Sequence, residues 1–216
     1  MIKINRVVVG HLETNCWVVS NDSGDVAVID PGDDTDAICE VIDGLDVPHK
    51  NVGAIILTHG HFDHVGSADE VADDNSSFVY MSDKEFSFLQ GEQGTGGREF
   101  GQETPIPIVD FKVKDLDTIE VGSLEFKVML TPGHTPGGMC LMLQDDIDSE
   151  RYYLFSGDTL FAQSIGRTDL PGGDENKMTQ SLERLDTLPK NVEVFPGHGT
   201  TTTLETERAL NTYWPQ

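Results

Sequence analysis

Basic residues are scarce: the chain of 216 residues carries 14 Lys and Arg against 38 Asp and Glu, for a formal net charge of −24. Such a surface repels nucleic acid and anionic membrane over the roughly 8–10 Å that salt leaves unscreened. It counts against a nuclease, which normally carries a basic footprint. The acidic excess runs through the whole chain rather than one tail, a pattern that a salty cytoplasm or ordinary solubility selection would both produce. Cysteine is also sparse. Cys16, Cys39 and Cys140 are widely spaced and odd in number, and no Cys-x-x-Cys pair occurs. That excludes a disulfide framework and leaves three small apolar side chains, expected buried or half-buried. Long apolar runs are missing, because Asp, Lys or Asn interrupts each candidate span. The opening Met-Ile-Lys-Ile-Asn-Arg lacks the apolar stretch and cleavage site of an export signal. The expected location is the cytoplasm, and the expected partner a small molecule rather than nucleic acid or membrane.

What is present suits one well-cored domain over residues 1–216, with no internal repeat, low-complexity tract or linker. Short runs rich in Val, Ile, Phe and Tyr, bounded by Gly, Asp, Asn or Pro, read as strands. They are Ile4–Val9, Cys16–Ser20, Val26–Asp30, Ala54–Leu57, Phe78–Met81, Thr118–Val121, Leu124–Leu130, Met139–Leu143, Tyr152–Phe155 and Val192–Phe195. Helices are expected over Thr35–Leu45, Val65–Ala72, Asp83–Leu89, Asn176–Leu188 and Thr203–Asn211. The segment Gly91–Pro107, with five glycines and two prolines, reads as a long loop and a candidate flap beside a substrate. The alternation implies an α/β (α+β) chain of two mixed sheets packed together, with helices outside.

The chemistry concentrates in His59-Gly60-His61-Phe62-Asp63-His64, directly after the apolar run Ala54-Ile-Ile-Leu57. In an extended chain, side chains two apart share a face, so His59 and His61 can grip one metal ion. Asp63 and His64 fall where the chain should turn into a helix, so they point elsewhere and can reach a second ion. Three more residues of ligand type sit on Gly- or Pro-shaped turns at strand exits: His134 in Thr131-Pro-Gly-His-Thr-Pro-Gly-Gly138, Asp158 in Ser156-Gly-Asp-Thr159, and His198 in Pro196-Gly-His-Gly199. Alone, each reads as a turn residue; together they would complete two metal sites with a shared carboxylate. Imidazole with carboxylate suits zinc, iron or manganese rather than calcium. Asp30, after a strand, suits either a role orienting a ligand histidine or a plain turn or helix cap. Arg167 and Asp169 are expected as a buried pair shaping a loop, or as substrate contacts. Ser156 and Ser164 read as loop hydrogen-bonders, and His11 and His49 as solvated.

The series HGHFDH, TPGHTPGG, SGDT and PGHG, in that order, resembles the metal-binding motifs of the metallo-β-lactamase-fold hydrolases, with Glu13-Thr-Asn-Cys16 and Ile29-Asp-Pro-Gly32 also matching. Gly157-Asp-Thr-Leu160, Gly166-Arg-Thr-Asp169 and Pro171-Gly-Gly-Asp174 are similar to the short, single-domain glyoxalase II (hydroxyacylglutathione hydrolase)-like branch. The resemblance implies a four-layer αβ/βα sandwich with two divalent metal ions at the sheets' open edge, zinc first among the candidates. His59, His61 and His134 would hold the first ion, Asp63, His64 and His198 the second, and Asp158 would bridge them. It also implies that Arg167 lies where glutathione is gripped, although Asp169 stands where the family has Tyr.

Two divalent ions, two Asp ligands and a shared hydroxide would leave such a centre at about +1, which favours a developing oxyanion. The expected function is therefore a binuclear hydrolase of small thioesters, with that hydroxide as nucleophile, Asp63 and Asp158 central to catalysis, and a thiolate leaving group that needs no elaborate acid. The alternatives are a mononuclear-iron persulfide (sulfur) dioxygenase using His59, His134 and Asp158, and a metal-binding module without catalysis. A β-lactamase is disfavoured by the missing export signal.

Overall fold

A computed structural model describes every residue except Asp146 and Gln216. The first half of the chain builds one six-stranded sheet. It runs through β1 (Lys3–Val9), β2 (Thr14–Ser20), β3 (Asp25–Ile29), α1 (Thr35–Asp43), β4 (Asn51–Ile56), α2 (Phe62–Val65), α3 (Ala68–Asn75), β5 (Phe78–Ser82), α4 (Asp83–Leu89), a single 3-10 turn at Gly97–Phe100, and β6 (Phe111–Val113). Strand order is β1-β2-β3-β4-β5-β6, antiparallel up to β3 and parallel from there on. The second half supplies β7 (Thr118–Val121), β8 (Leu124–Leu130), β9 (Met139–Gln144), β10 (Tyr152–Gly157), β11 (Leu160–Phe161), β12 (Ser164–Ile165), α5 (Glu175–Asp186), β13 (Val192–Pro196), β14 (Thr202–Thr203) and α6 (Leu204–Leu210). Its sheet has the order β14-β13-β10-β9-β8-β7, with β10 and β13 the parallel pair, and β11-β12 form a separate small hairpin.

Alternation of side chains along the strands sets the layers. On one face of the first sheet Trp17, Ala27, Ile29 and Ile56 meet Phe126, Leu141 and Phe155 of the second sheet in the central core. The intervening residues Val18, Val28 and Ile55 face outward onto Ile38 and Ile42 of α1 and Ala68 and Val71 of α3. The second sheet repeats the scheme, with Leu154 and Val194 against Leu182 and Leu185 of α5. Helix α5 buries Met178, Ser181, Leu182 and Leu185, one face of a 3.6-residue period, and starts where the Asp174 side chain accepts a hydrogen bond from the Lys177 N–H at 3.1 Å. The result is the expected α+β sandwich of two mixed sheets flanked by helices.

Two expectations shift. The helix expected at Val65–Ala72 is two helices, α2 and α3, broken at Gly66 and Ser67. Gly66 packs there so closely on the Gly32 carbonyl that a Cβ would overlap it. The flap segment is not wholly irregular, since it contains the 3-10 turn. Both sheets converge at one end, where Thr14 and His198 form an isolated antiparallel bridge and the Asn15 N–H donates to the Gly197 carbonyl at 2.7 Å. The ligand-type residues gather at that end.

Candidate metal centre

His59 follows β4, Asp158 follows β10 and His198 follows β13, so the parallel strands of both sheets end at the same place. His134 arrives from the β8–β9 connection, and Asp63 and His64 from the short α2. Two clusters result. His59, His61 and His134 form a triangle with ring centroids 4.6–5.0 Å apart. Asp63, His64 and His198 form the second, with each candidate ligand atom within 4.8 Å of the others. The Asp158 carboxylate lies between them. Its Oδ1 is 3.4 Å from His64 Nε2, and its Oδ2 is 3.5 Å from His134 Nε2 and 3.7 Å from His198 Nε2. All seven residues singled out as ligand candidates thus share one constellation.

The outer nitrogens of four imidazoles are occupied, which assigns their tautomers. His134 Nδ1 donates to the Arg167 carbonyl at 2.7 Å and His198 Nδ1 to the Leu12 carbonyl at 3.1 Å. His64 Nδ1 donates to Asp30 Oδ2 at 3.0 Å. The Thr58 hydroxyl donates to the same carboxylate oxygen at 2.7 Å, leaving its lone pair to accept from His59 Nδ1 at 3.1 Å. Each Nε2 therefore faces inward, where a bound metal ion would take its lone pair. His61 uses the other nitrogen, with Nδ1 2.9 Å from His134 Nε2. Thr14 Oγ1 steadies Asp63 Oδ2 at 2.9 Å.

These contacts allow a direct test of whether the residues fit metal ions. His59 Nε2 and Asp158 Oδ1 are buried and have no hydrogen-bond partner among the described residues. Buried polar atoms are ordinarily satisfied, and leaving one unpaired costs about 1–3 kcal/mol. An imidazole nitrogen and a carboxylate oxygen left bare beside four more inward-facing nitrogens are the donor set of a divalent cation. The residues fit one or two such ions.

Electrostatics divides the two clusters. Burial, joined by the neighbouring imidazoles, pushes His59 well below its ordinary value and His61 down to about 4. Burial alone would also lower His64, but Asp63, Asp158 and Asp30 outweigh it and carry it up to about 10. Burial would raise Asp63, yet His64 and His198 hold it well below the usual carboxylate range. The carboxylate field falls on the second cluster, which would draw positive charge in.

Asp30, expected either to orient a ligand histidine or to serve as a turn or cap carboxylate, lies between Thr58 and His64. Its Oδ1 accepts from the Thr58 N–H at 2.7 Å while Oδ2 reaches both Thr58 and His64. Arg167 and Asp169 do pair, at 2.9 and 2.8 Å, but the expectation that the pair is buried is corrected. Their side chains are 61% and 69% exposed, because only the Arg167 backbone carbonyl turns inward, to His134. Ser156 hydrogen-bonds the Leu160 carbonyl, His11 and His49 are exposed, and all three cysteines are free, Cys16 and Cys140 buried.

Sequence reasoning missed Thr14, Thr58 and Glu85. Glu85 is buried on α4 and accepts from Gly60 N at 2.9 Å and Gly137 N at 2.8 Å. It thereby ties the His59–His61 loop to the His134 loop. Thr58, adjacent to His59, and Thr14, within Glu13-Thr-Asn-Cys16, carried a positional signal; nothing in the sequence around Glu85 distinguishes it from a solvated helix carboxylate.

The site opens into a cleft of about 480 Å³. His61, Asp63, His134, Asp158 and His198 form its floor, and the flap and the β11–β12 hairpin contribute to its sides. Among the described residues no helix is long and apolar enough to cross a membrane.

Residues 9–198 match the metallo-beta-lactamase superfamily, and the chain belongs to it. It is 30% identical to the hydroxyacylglutathione hydrolase GloC of Haemophilus influenzae over 98% of each chain. Among solved structures it is similar to the B3 metallo-beta-lactamase BLEG-1, with 34% identity, a TM-score of 0.85 and 99% of each chain covered. It is also similar to the di-iron-bound form of TTHA1623, with 31% identity, a TM-score of 0.79, and 97% of this chain and 99% of the other covered.

Proposed function

We propose that the protein hydrolyses thioesters with two divalent metal ions, zinc first among zinc, iron and manganese, in the manner of a hydroxyacylglutathione hydrolase. One observation carries this reading: two ligand clusters, with inward lone pairs fixed by outer hydrogen bonds, meet across Asp158 at the floor of a cleft. His59, His61 and His134 would hold one ion, and Asp63, His64 and His198 the other, with Asp158 between. Two bound ions would supply Lewis acidity and a water of lowered pKa, the source of a hydroxide nucleophile near neutral pH. Asp30 and Thr58 hold the imidazole tautomers. Aromatic side chains such as Phe62 and Phe161 limit water around the reacting carbonyl. A thiolate leaves without a proton donor, so this site needs no further acid.

The likeness to GloC along the full length supports the thioester reading. Asp169 takes the Nε and Nη2 edge of the Arg167 guanidinium, which leaves the Nη1 edge for a substrate carboxylate at the side of the cleft. The likeness to BLEG-1 favours a second reading, hydrolysis of a β-lactam amide at the same centre. The complete second cluster weighs against a mononuclear persulfide dioxygenase.

Purified protein loaded with each metal should be assayed on lactoylglutathione, simple acyl thioesters, a chromogenic cephalosporin and glutathione persulfide. Metal-dependent thioester turnover is expected to dominate. Preferred β-lactam turnover would install the second reading, and oxygen uptake on persulfide with one iron per chain would displace both.

A further inference from the structure

The walls of the cleft are chemically unlike the rest of the surface. On a chain of net charge −24, Phe62, Phe88, Phe100, Phe161, Ile165 and Leu170 face one cavity above the ligand clusters. Phe100 is 49% exposed, and its ring lies 5.4 Å from that of Phe62, the residue between His61 and Asp63. Across the floor, Phe161 reaches within 6.0 Å of the His198 ring. The apolar surface therefore begins at the metal clusters and continues up the flap. The flap is tied to this wall, since Phe62 N donates to the Thr95 carbonyl at 3.0 Å and Thr95 Oγ1 donates to the Thr104 carbonyl at 2.9 Å.

Resting on the thioester reading above, we infer that the acyl group this cleft selects is apolar and extended, aromatic or of medium chain length, rather than a small hydroxyacyl group. A cavity of about 480 Å³ falls in the range of roughly 300–1,000 Å³ that encloses drug-sized ligands, far more than a three-carbon acyl group fills. A hydroxyacyl group would leave most of the aromatic wall wet and bring a hydroxyl to it. The thiol half of a thioester is the wrong match for that wall, because soluble carrier thiols bear carboxylates or phosphates. Such anions have a place at the border of the cleft, where Arg98 reaches only a loose 3.9 Å contact with Glu103 and its side chain is 82% exposed. The apolar wall is left to the acyl chain.

The test uses metal-loaded protein and thioesters of one thiol, glutathione, with acetyl, butyryl, hexanoyl, octanoyl, benzoyl and lactoyl groups. Burial of each methylene is expected to raise kcat/KM by about fourfold until the wall is covered. Hexanoyl and benzoyl substrates should exceed lactoyl by more than about tenfold on the same reasoning. Phe100→Ala should cut the ratio of hexanoyl to acetyl turnover by roughly tenfold, its half-exposed position leaving the fold intact by circular dichroism. A second readout needs no turnover: binding of S-alkylglutathione thioethers by calorimetry should tighten with chain length by the same factor. A flat series, or lactoyl as the best substrate, overturns the inference while the hydrolase reading stands. Binding that tightens with chain length, in protein that turns over no thioester, overturns the hydrolase reading and keeps the apolar cleft.

Discussion

Asp30→Asn tests the logic of the centre most sharply among single substitutions. Asp30 has φ 53°, a left-handed conformation that Asn tolerates, so the backbone gains no strain from the exchange. The carboxylate accepts three hydrogen bonds, from Thr58 N, Thr58 Oγ1 and His64 Nδ1. If the amide oxygen of Asn keeps Thr58 N, the NH2 group faces the other two. His64 Nδ1 must then accept, which moves its proton to Nε2 and removes the lone pair aimed at the second cluster. The Thr58 hydroxyl must also accept, so it turns its proton toward His59 Nδ1 and drives that ring to the Nε2–H form in the first cluster. One substitution thus misdirects an imidazole in each cluster. Losing such outer partners typically costs 10–100-fold in metal affinity, about 1.4–2.7 kcal/mol. Competition against a chromophoric chelator should show both ions weakened by about that much, with the fold unchanged by circular dichroism. Unchanged affinity for both ions would refute the tautomer argument.

Glu85→Gln should leave one of Gly60 N and Gly137 N without an acceptor, at a cost of about 1–3 kcal/mol in urea unfolding; an unchanged midpoint would show that Glu85 does not bind the two loops. Gly197→Ala should expel an ion from the second cluster, because a Cβ there would overlap Asp158 Oδ1 and come 2.7 Å from His64 Cε1; elemental analysis showing full occupancy would contradict this. The metal-free protein should be most stable near the ordinary histidine value. His61, lowered to about 4, withdraws stability as pH falls from about 6.5 toward 4. His64, raised to about 10, contributes stability present below about 6.5 and lost as pH rises through 10. Thermal melts of chelator-treated protein that stay flat from pH 4 to 10 would refute both assignments.

Much of this architecture could be read from the chain because its central strands are buried on both faces and so appear as short apolar runs between turn residues: Trp17, Ala27 and Ile29 meet the other sheet, Val18 and Val28 the helices. What escaped was short. Strands β6, β11, β12 and β14 have two or three residues, too few to show a period, and exist because neighbouring strands hold them. The break between α2 and α3 depends on the contact of Gly66 with Gly32, which lies far off in sequence. At the site, ligand-type residues announce themselves by chemistry and by turns at strand ends. Their supports do not: the Leu12 and Arg167 carbonyls belong to the backbone, and Glu85 acquires its role only when α4 packs between two loops. The exposure of the Arg167–Asp169 pair was illegible for the same reason, since adjacent opposite charges look alike buried or solvated.

In the proposed centre His59, His61 and His134 hold one ion, Asp63, His64 and His198 hold the other, Asp158 joins them, and the pair cleaves thioesters. Metal titration of chelator-stripped protein, with bound metal per chain and thioester turnover measured on the same samples, tests it directly. Turnover should climb until two ions are bound and fall again when either cluster is emptied. Full turnover at one ion per chain, or no thioester turnover at two, would contradict it.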